Sequence, residues 1–406
     1  MNTQARRHRA LINIAHGVTH YSHLILPTAV LAMLAPGGAF GSDYGHVLEL
    51  STFMFILYGL LSLPQGWLAE RLGRKTMMSL FFLGTGASLI TTGFVDSSLW
   101  LAVTLTGVGV FTAIYHPIGT AILVDAAGDE PGRALGFNGM IGISGVALAP
   151  MLTAFFAQYL GWRAAFMLPG LACIVIGVMW LRTPAIEGHY SVTSRPFPDI
   201  PPAVVRRAVG VLLLLALLSG LVFNAYTLLI PKLMAERLAQ GRSDMLPWVG
   251  MAAFFVMLCG AATQFAIGRL IDRMTLKRIL LPLSVMLVGG LLVVSVAQDW
   301  AVIPASGIVA AVLFGQVTVN ETMTARYISP PLRARLYSIR FFVGFLGSAA
   351  APFIIAILLG HFGDLAAVIL ALAGCSILSL AAALAFPDRK EELAPELWAL
   401  ARTAPE

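Results

Sequence analysis

Long apolar segments separated by short polar ones make up most of this chain. Stretches of 18 or more residues with few charges recur from one end to the other. A segment of that length is what an α-helix needs to cross the hydrocarbon core of a bilayer. The pattern predicts twelve spanning helices, approximately at 10–34, 46–69, 76–95, 99–126, 132–159, 164–182, 205–230, 247–271, 278–297, 300–326, 332–360 and 364–386. We therefore expect an all-α polytopic membrane protein.

One polar connection divides these spans into two sets of six. Residues 183–204 are rich in Pro, Ser and Thr and follow the sixth span. The prediction is an N-terminal six-helix domain over 1–182, a cytoplasmic linker over 183–204 and a C-terminal six-helix domain over 205–386. The remaining residues, 387–406, form a charged cytoplasmic tail that we expect to be a short solvated helix.

The two halves carry the same cationic turn in the same place. Gly66–Lys75 lies between the second and third spans, and Gly268–Lys277 lies between the eighth and ninth. At an offset of 202 residues the matching pairs are Gly66/Gly268, Leu68/Leu270, Glu70/Asp272, Arg71/Arg273 and Lys75/Lys277. Val18–Pro27 also aligns with Val222–Pro231 at an offset of 204. The halves are therefore internal repeats of one another.

Composition supports the membrane assignment, and charge placement supplies a topology. The chain is 58% hydrophobic and 11% charged, whereas soluble domains carry about 25% charged residues. With the N-terminus in the cytoplasm, all but four of the 26 Lys and Arg fall on the cytoplasmic side, the exceptions being Arg163, Lys232, Arg237 and Arg242. Because this is the positive-inside pattern, the net charge of +6 does not call for a nucleic-acid partner. Both termini are predicted to be cytoplasmic.

Several chemical functions have no support in the sequence. Cys173, Cys259 and Cys375 lie far apart inside apolar spans, as small buried hydrophobic residues do. The chain has no phosphate-binding Gly-Lys-Ser/Thr loop, no Ser nucleophile elbow and no His-Glu-x-x-His motif. We expect neither an enzyme nor a bound cofactor.

The repeated turn resembles the conserved loop of the major facilitator superfamily of transporters. Gly161–Arg163 between the fifth and sixth spans also resembles that superfamily, and the resemblance covers essentially the whole chain. Tyr115–Pro117, together with the His-bearing first span, resembles the subgroup of fosmidomycin-resistance-type exporters. The resemblance implies two pseudo-symmetric six-helix bundles with a substrate site between them near the midplane. It also implies alternating access and a protein that acts as a monomer.

The resemblance further implies a gating role for the repeated turn. In the superfamily this loop forms a charge network with an acidic residue at the cytoplasmic end of the fourth span, here Asp125, and locks the outward-facing state. The gating candidates are Gly66, Glu70, Arg71, Gly73, Arg74, Lys75 and Asp125, with Asp272 and Arg273 in the second copy. Gly66 would allow close helix approach, and Gly73 a turn of positive φ. Because the second copy lacks counterparts of Gly73 and Arg74, its lock should be weaker. The alternative is a positive loop that only sets topology.

The first span carries a stripe of polar residues. Asn13, His16, His20 and His23 are spaced three and four apart and share one helical face. Ionisable groups inside a membrane helix are costly and face a cavity or a partner. The resemblance places the first, fourth, seventh and tenth spans around the cavity, which brings in His116.

Three interpretations of these histidines remain open. They contact substrate or carry protons, they only join helices through hydrogen bonds, or they bind a transition metal. No carboxylate, Cys or Met cluster accompanies them on the neighbouring cavity helices, so our site assignment includes no metal.

The second half contributes further candidates. Span ten carries the polar residues Gln316, Asn320 and Thr324 at four-residue spacing. Glu321 lies about 100° away on the helical wheel, and a carboxylate at this depth is a natural coupling group. The competing interpretation is a structural ion pair with Arg340 or Arg326.

Span seven adds Asn224 and Thr227, which match His20 and His23 by the repeat. These two residues either contact the ligand or pack the helices together.

Four glycines at three-residue spacing precede Pro150 in the fifth span: Gly136, Gly139, Gly142 and Gly145. Small residues let membrane helices approach closely. The series partly resembles a motif of drug–proton antiporters that is linked to export.

Together these features predict a secondary transporter of the bacterial inner membrane. The expected activity is proton-coupled export of a small organic compound, so the expected partners are that compound, protons and the lipid bilayer. Alternatives are uptake of an organic solute or anion, metal or metal-chelate transport through the His stripe, and a non-transporting membrane sensor.

Overall fold

A computed structural model describes residues 3–127, 131–184 and 200–393, and within these ranges the protein has helices and no strand. The twelve predicted spans are confirmed as one all-α bundle. Span 1 is Thr3–His23 with Ile25–Met33, span 2 is Tyr44–Glu49 with Thr52–Ser62 and Gln65–Leu72, span 3 is Arg74–Thr92, span 4 is Ser98–Thr112 with Tyr115–Gly119 and Thr120–Ala127, span 5 is Pro131–Leu160, and span 6 is Trp162–Leu181. Span 7 is Pro202–Arg237, span 8 is Leu246–Ile271, span 9 is Leu276–Val296, span 10 is Val302–Tyr327, span 11 is Pro330–Phe362 and span 12 is Leu365–Ala385. Short 3₁₀ turns occupy Ser243–Met245, Asp299–Ala301 and Lys390–Leu393.

Ten helical segments among the described residues are long and apolar enough to cross a membrane. Spans 1 and 3 fall short of that criterion. Span 1 is interrupted at Leu24 and carries the polar stripe, while span 3 begins with Arg74 and Lys75. Both nevertheless pack inside the bundle, span 1 against span 5 and span 3 against span 6. Most of the predicted linker lies at 185–199, outside the described residues.

The same helix pairs form in both halves. Span 1 packs on span 5 as span 7 packs on span 11, and span 3 packs on span 6 as span 9 packs on span 12. Spans 2 and 4 likewise correspond to spans 8 and 10. The fold thus repeats as the sequence does.

Glycines bring the backbones of spans 1 and 5 into contact. A Cβ atom on Gly145 would lie 2.2 Å from the carbonyl oxygen of Gly17. Gly347, the repeat counterpart of Gly145, would place a Cβ 2.2 Å from a backbone oxygen of span 7. Close approach is therefore real at Gly145. It is absent at the first two glycines of the series, because nothing lies within 4 Å of a Cβ on Gly136 or Gly139.

The halves meet at the end of the helices opposite the N-terminus and the tail, which we call the far side. A Cβ on Gly45 would lie 3.1 Å from the Cα of Ala356 in span 11, and one on Gly250 would lie 2.6 Å from a carbonyl oxygen of span 5. The Tyr44 hydroxyl donates to the Leu228 carbonyl across the halves at 3.2 Å. Gly136 and Gly139, at the opposite or near side of span 5, have no such neighbours. The protein is therefore closed on the far side.

The start of the tail is docked, which corrects the expectation of a solvated helix. Glu392 is only 6% exposed. Its carboxylate accepts hydrogen bonds from the backbone N–H of Leu276, at the start of span 9, and from the Tyr327 hydroxyl at 2.5 Å. Arg326 lies 3.6 Å away. The first N–H groups of a helix have no partner within the helix, so they attract this carboxylate. Burial raises the pKa of Glu392, against the effect of these partners.

Candidate functional site

A local break in span 4 lies where histidines of spans 1 and 4 come together. Span 4 contains a π-helical turn at Tyr115–Gly119. Pro117 lies inside this turn, and a proline removes a backbone donor and disturbs the regular helix. His116 lies in the same turn and is half-buried.

Three of the four histidines proposed for the site converge. The Nε2 atoms of His16 and His20 are 3.1 Å apart. The ring centroid of His116 is 5.2 Å from that of His16 and 5.6 Å from that of His20. One nitrogen from each ring lies within 4.8 Å of the others. We call these three residues the His cluster.

His23 does not belong to this cluster. It is buried, and its Nε2 lies 2.9 Å from the Thr112 hydroxyl. That hydroxyl donates to the Val108 carbonyl, so it accepts from His23. The Tyr58 ring packs on His23 at a centroid distance of 4.4 Å. These contacts fit a role in packing spans 1, 2 and 4.

Asn138 of span 5 organises the cluster, although the sequence analysis did not identify it. Its carbonyl lies 2.8 Å from His16 Nδ1. A carbonyl can only accept, so Nδ1 of His16 carries a proton, and Nε2 of a neutral His16 accepts from His20. The Asn138 amide donates to Asn13 Oδ1 at 2.9 Å and accepts from the Tyr115 hydroxyl at 2.9 Å. In the sequence, Asn138 is marked only by being an amide side chain within the glycine series of span 5.

Aromatic residues of span 11 connect the cluster to the second half. The Phe341 ring stacks with His116 at a centroid distance of 6.3 Å, and Phe345 meets Tyr58 at 4.7 Å. The guanidinium carbon of Arg340 lies 5.4 Å from the Phe341 centroid. Arg340 is 8% exposed, and its Nε and Nη1 atoms have no hydrogen-bond partner. The His cluster, Phe341 and Arg340 together form what we call the central site.

Glu321 is the acidic candidate residue of span 10. Its side chain is exposed, and it interacts electrostatically with Arg340. No ion pair within 4.0 Å joins the two in the described part of the chain. Arg326 pairs with Glu392 instead. Neither structural ion pair considered for Glu321 is therefore formed.

The remaining polar candidates of the second half point into helix contacts. Gln316 donates to the Ser284 hydroxyl of span 9 at 3.2 Å. Asn320 and Thr324 are buried on the same face. Asn224 donates to the Ser348 carbonyl at 2.7 Å, and Thr227 donates to Asn224 of its own helix at 3.0 Å. Gln316 and Asn224 therefore join helices of the second half, whereas the side-chain oxygens of Asn320 and Thr324 are buried without a hydrogen-bond partner among the described residues.

One ion pair joins the first cationic turn to span 4. Arg74 is paired with Asp125, and Gly73 has a positive φ of 79°. Lys75 donates to the Thr183 carbonyl at 2.5 Å, so the turn is also tied to the end of span 6. Glu70 is exposed and forms no ion pair among the described residues.

Two other residues of the turn face outward. The Arg71 guanidinium lies 3.8 Å from the Trp67 ring centroid. Nothing lies within 4 Å of a Cβ on Gly66, so the close approach expected there is not present in this structure.

The second turn is held differently. Asp272 and Arg273 are exposed and form no ion pair among the residues described here. At the offset of 202, Arg74 corresponds to Leu276 and Asp125 to Tyr327. Glu392 bonds to both counterparts, so the tail carboxylate joins the positions that form an ion pair in the first half.

Comparison with known families decides the assignment. A model of the Major Facilitator Superfamily matches residues 24–315 and, in a second alignment, 212–403. The chain belongs to the major facilitator superfamily. This is a superfamily of transporters and not of enzymes, as the sequence predicted. The two overlapping matches reflect the internal repeat.

Individual relatives are distant. The chain is 24% identical over 185 residues to the "Probable L-galactonate transporter" of Escherichia coli K12, which is 45% of this chain and 40% of that protein. It is 29% identical over 176 residues to the "Membrane sensor protein UhpC" of the same organism, which is 43% of this chain and 39% of that protein. The alignments thus span about two fifths of these relatives.

Solved structures agree over the whole fold. A bacterial homolog of the human lysosomal transporter Spinster, described as inward-facing and occupied, matches with a TM-score of 0.70 and 15% identity. The alignment covers 100% of this chain and 98% of that one. The unoccupied inward-facing form of that homolog matches with a TM-score of 0.68, over 98% of this chain and 99% of that one. At this identity the likeness concerns the fold.

Proposed function

We propose that this superfamily member is a secondary transporter that exports a small organic compound in exchange for protons by alternating access. The observation that carries the proposal is the central site, which both halves build at the middle of a molecule joined on its far side. His16, His20 and His116 come from one half, and Phe341 and Arg340 come from the other. A site shared in this way changes its exposure when the halves rock against each other.

The groups of the central site suit proton coupling. The imidazoles of the His cluster are half-buried, and imidazole is the side chain that exchanges protons near neutral pH. The Asn138 carbonyl holds His16 in one orientation, which leaves its Nε2 facing His20. A proton delivered to this pair changes the charge of the site next to the ligand. Glu321 is a second proton carrier on the opposite half.

The Arg74–Asp125 pair lies on the near side and is formed while the far side is closed, so it joins helices within the N-terminal half and does not by itself hold the two halves together. It ties the start of span 3 to the end of span 4, so the loop between spans 2 and 3 moves with the N-terminal half as one body. We assign the near side to the cytoplasm of a bacterial inner membrane, because the cationic turns lie there.

Everted vesicles enriched in the protein test the proposal. A pH-sensitive dye follows proton movement while antibiotics, organic acids and metal chelates are added. We expect one compound class to cause dequenching, with the response lost in His20→Ala and kept in the control His361→Ala, an exposed histidine. No response to any compound from folded protein would refute proton-coupled export, while an uptake signal in right-side-out vesicles would reverse the direction.

A second candidate is metal transport, favoured by the convergence of three ring nitrogens within 4.8 Å. The Nδ1–H of His16 bonds to a carbonyl, which is the outer contact that metal-binding histidines commonly make. Purified protein titrated with Co²⁺ would develop ligand-field bands that are lost in His16→Ala. Protein that shows no bands and retains no Co²⁺ on a desalting column would exclude this candidate.

A third candidate is a sensor, because one of the aligned relatives is named a membrane sensor. A sensor needs ligand binding but not repeated passage between two open states. Ligand binding that survives Arg74→Ala, together with the absence of any flux in wild-type proteoliposomes, would favour a sensor over a transporter.

A further inference from the structure

Arg340 is a buried cation, and two of its three side-chain nitrogens have no hydrogen-bond partner among the described residues. Its side chain lies on span 11, 8% exposed, and its Nε and Nη1 atoms are both unpartnered. A guanidinium presents five donors and stays charged at every physiological pH. Burying such a group without a compensating partner is unfavourable, so an anionic ligand would stabilise it.

The internal repeat explains why the protein supplies no partner. Arg340 corresponds to Asn138 at the offset of 202. Asn138 is satisfied by Asn13 and Tyr115. The counterparts of those partners, at the offsets of 204 and 202, are Leu217 and Val317. The second half therefore has a cation where the first has an amide, and apolar residues at the positions that satisfy that amide in the first half.

The surroundings of Arg340 define the ligand that would fit. Phe341 lies beside both its guanidinium and His116, and the edge-to-face pair of Phe345 and Tyr58 continues this aromatic surface. This combination offers one cationic anchor beside several aromatic rings. It suits a compound with an acidic group attached to an apolar or aromatic body.

We propose that Arg340 anchors a carboxylate or phosphate group of the transported compound. The inference rests on the proposed function in that the ligand of the central site is the cargo. Glu321 lies within electrostatic range but forms no ion pair with Arg340, so it competes with the ligand for the same cation. An anionic ligand should therefore bind at least as well when the negative charge of Glu321 is removed.

A structural role for Arg340 predicts a different effect on the ligand-free protein. If the guanidinium is unpaired, Arg340→Leu should raise the melting temperature of purified full-length protein by about 2–4 °C. Arg206→Gln, at an exposed arginine of span 7, should leave it unchanged. A lower melting temperature in Arg340→Leu would identify a hidden structural ion pair and overturn the proposal.

Binding is tested with a matched set of probes. Benzoate and phenyl phosphate carry the two acidic groups on one aromatic body, and benzyl alcohol is their neutral counterpart. At constant ionic strength, we expect either anion to raise the melting temperature of wild type and of Arg206→Gln. Benzyl alcohol should raise the melting temperature of neither protein. Arg340→Gln should weaken the anion effect at least about tenfold, Arg340→Lys should keep part of it, and Glu321→Gln should keep or strengthen it. An anion effect that persists in Arg340→Gln, or no anion effect in wild type, would overturn the proposal.

The same variants separate this inference from the proposed function. If compound-driven proton movement is equal in wild type and Arg340→Gln, the proposed transport function stands and the proposed anion-binding role of Arg340 is rejected. If anions stabilise wild type but not Arg340→Gln, and the wild-type protein moves no compound, the anion-binding role of Arg340 stands and the proposed transport function is rejected. The relative effects of benzoate and phenyl phosphate decide between a carboxylate and a phosphate.

Discussion

The backbone contact between spans 1 and 5 makes a sharp prediction for Gly145→Ala. The new Cβ would lie 2.2 Å from the Gly17 carbonyl oxygen and 2.9 Å from the Gly17 Cα. Ordinary contact begins at 3.4 Å, so the helices would have to separate by roughly 1 Å, a shift close to the size of a methyl contact. The obstacle is backbone and cannot rotate away.

The matched control is Gly139→Ala, six residues nearer the start of the same helix. Nothing lies within 4 Å of its Cβ position, so only helix propensity changes, by about 1 kcal/mol in favour of Ala. Overpacking a tight contact costs about 1–3 kcal/mol. Because the contact is with backbone, we expect the overpacking cost of Gly145→Ala to lie at the upper end of this range. After the same gain in helix propensity, the free energy of unfolding should fall by about 2 kcal/mol.

The two variants should therefore differ by about 3 kcal/mol, or roughly 6–12 °C in melting temperature for a half of this size. Thermal unfolding of purified protein in one detergent measures the difference, and Gly347→Ala should behave like Gly145→Ala by the repeat. Equal melting temperatures for Gly145→Ala and Gly139→Ala would refute the backbone contact.

Other features lead to further predictions. Glu392→Ala should speed hydrogen exchange at the Leu276 amide by about 10–100-fold, and unchanged exchange would mean that the tail is not docked. Because burial raises the pKa of Glu392, tail docking should be strongest below the unfolded-state pKa and weaken as the pH rises through the raised folded-state value, as the same exchange measured across pH would show. Arg74→Gln and Asp125→Asn should each slow transport about tenfold or more without abolishing ligand stabilisation, and the exchanged pair should recover part of the rate; full activity in either single variant would rule out a lock. Asn138→Leu should destabilise the protein by about 2–4 kcal/mol, since it orphans buried polar groups; a thermal melt identical to wild type would argue against the network.

The spans could be predicted because the bilayer imposes length and hydropathy on each of them. The Arg74–Asp125 pair could be expected from the resemblance. The role of Asn138 could not, because it depends on a backbone carbonyl and on the rotation of span 5 against span 1. A residue that works through its main chain leaves little trace in residue type.

Two further features depend on tertiary context. Glu392 looks like any tail carboxylate in sequence, and only the packing of spans 9 and 10 gives it partners. An ion pair between Glu321 and Arg340, or between Glu321 and Arg326, was one of two interpretations of Glu321, the other being a coupling group. Whether two such side chains meet depends on how each helix is rotated about its axis. Hydropathy does not specify this rotation when several faces of the helix contact other parts of the protein.

The tail contact has a consequence for the order of biosynthesis. The first half can complete its near-side lock once residue 125 has left the ribosome, because Arg74 and Asp125 are both present. The second half cannot do so until residue 392 has been made, after all twelve helices have been synthesised. A nascent chain arrested or truncated just beyond span 12 would then hold a finished N-terminal lock beside an open C-terminal one.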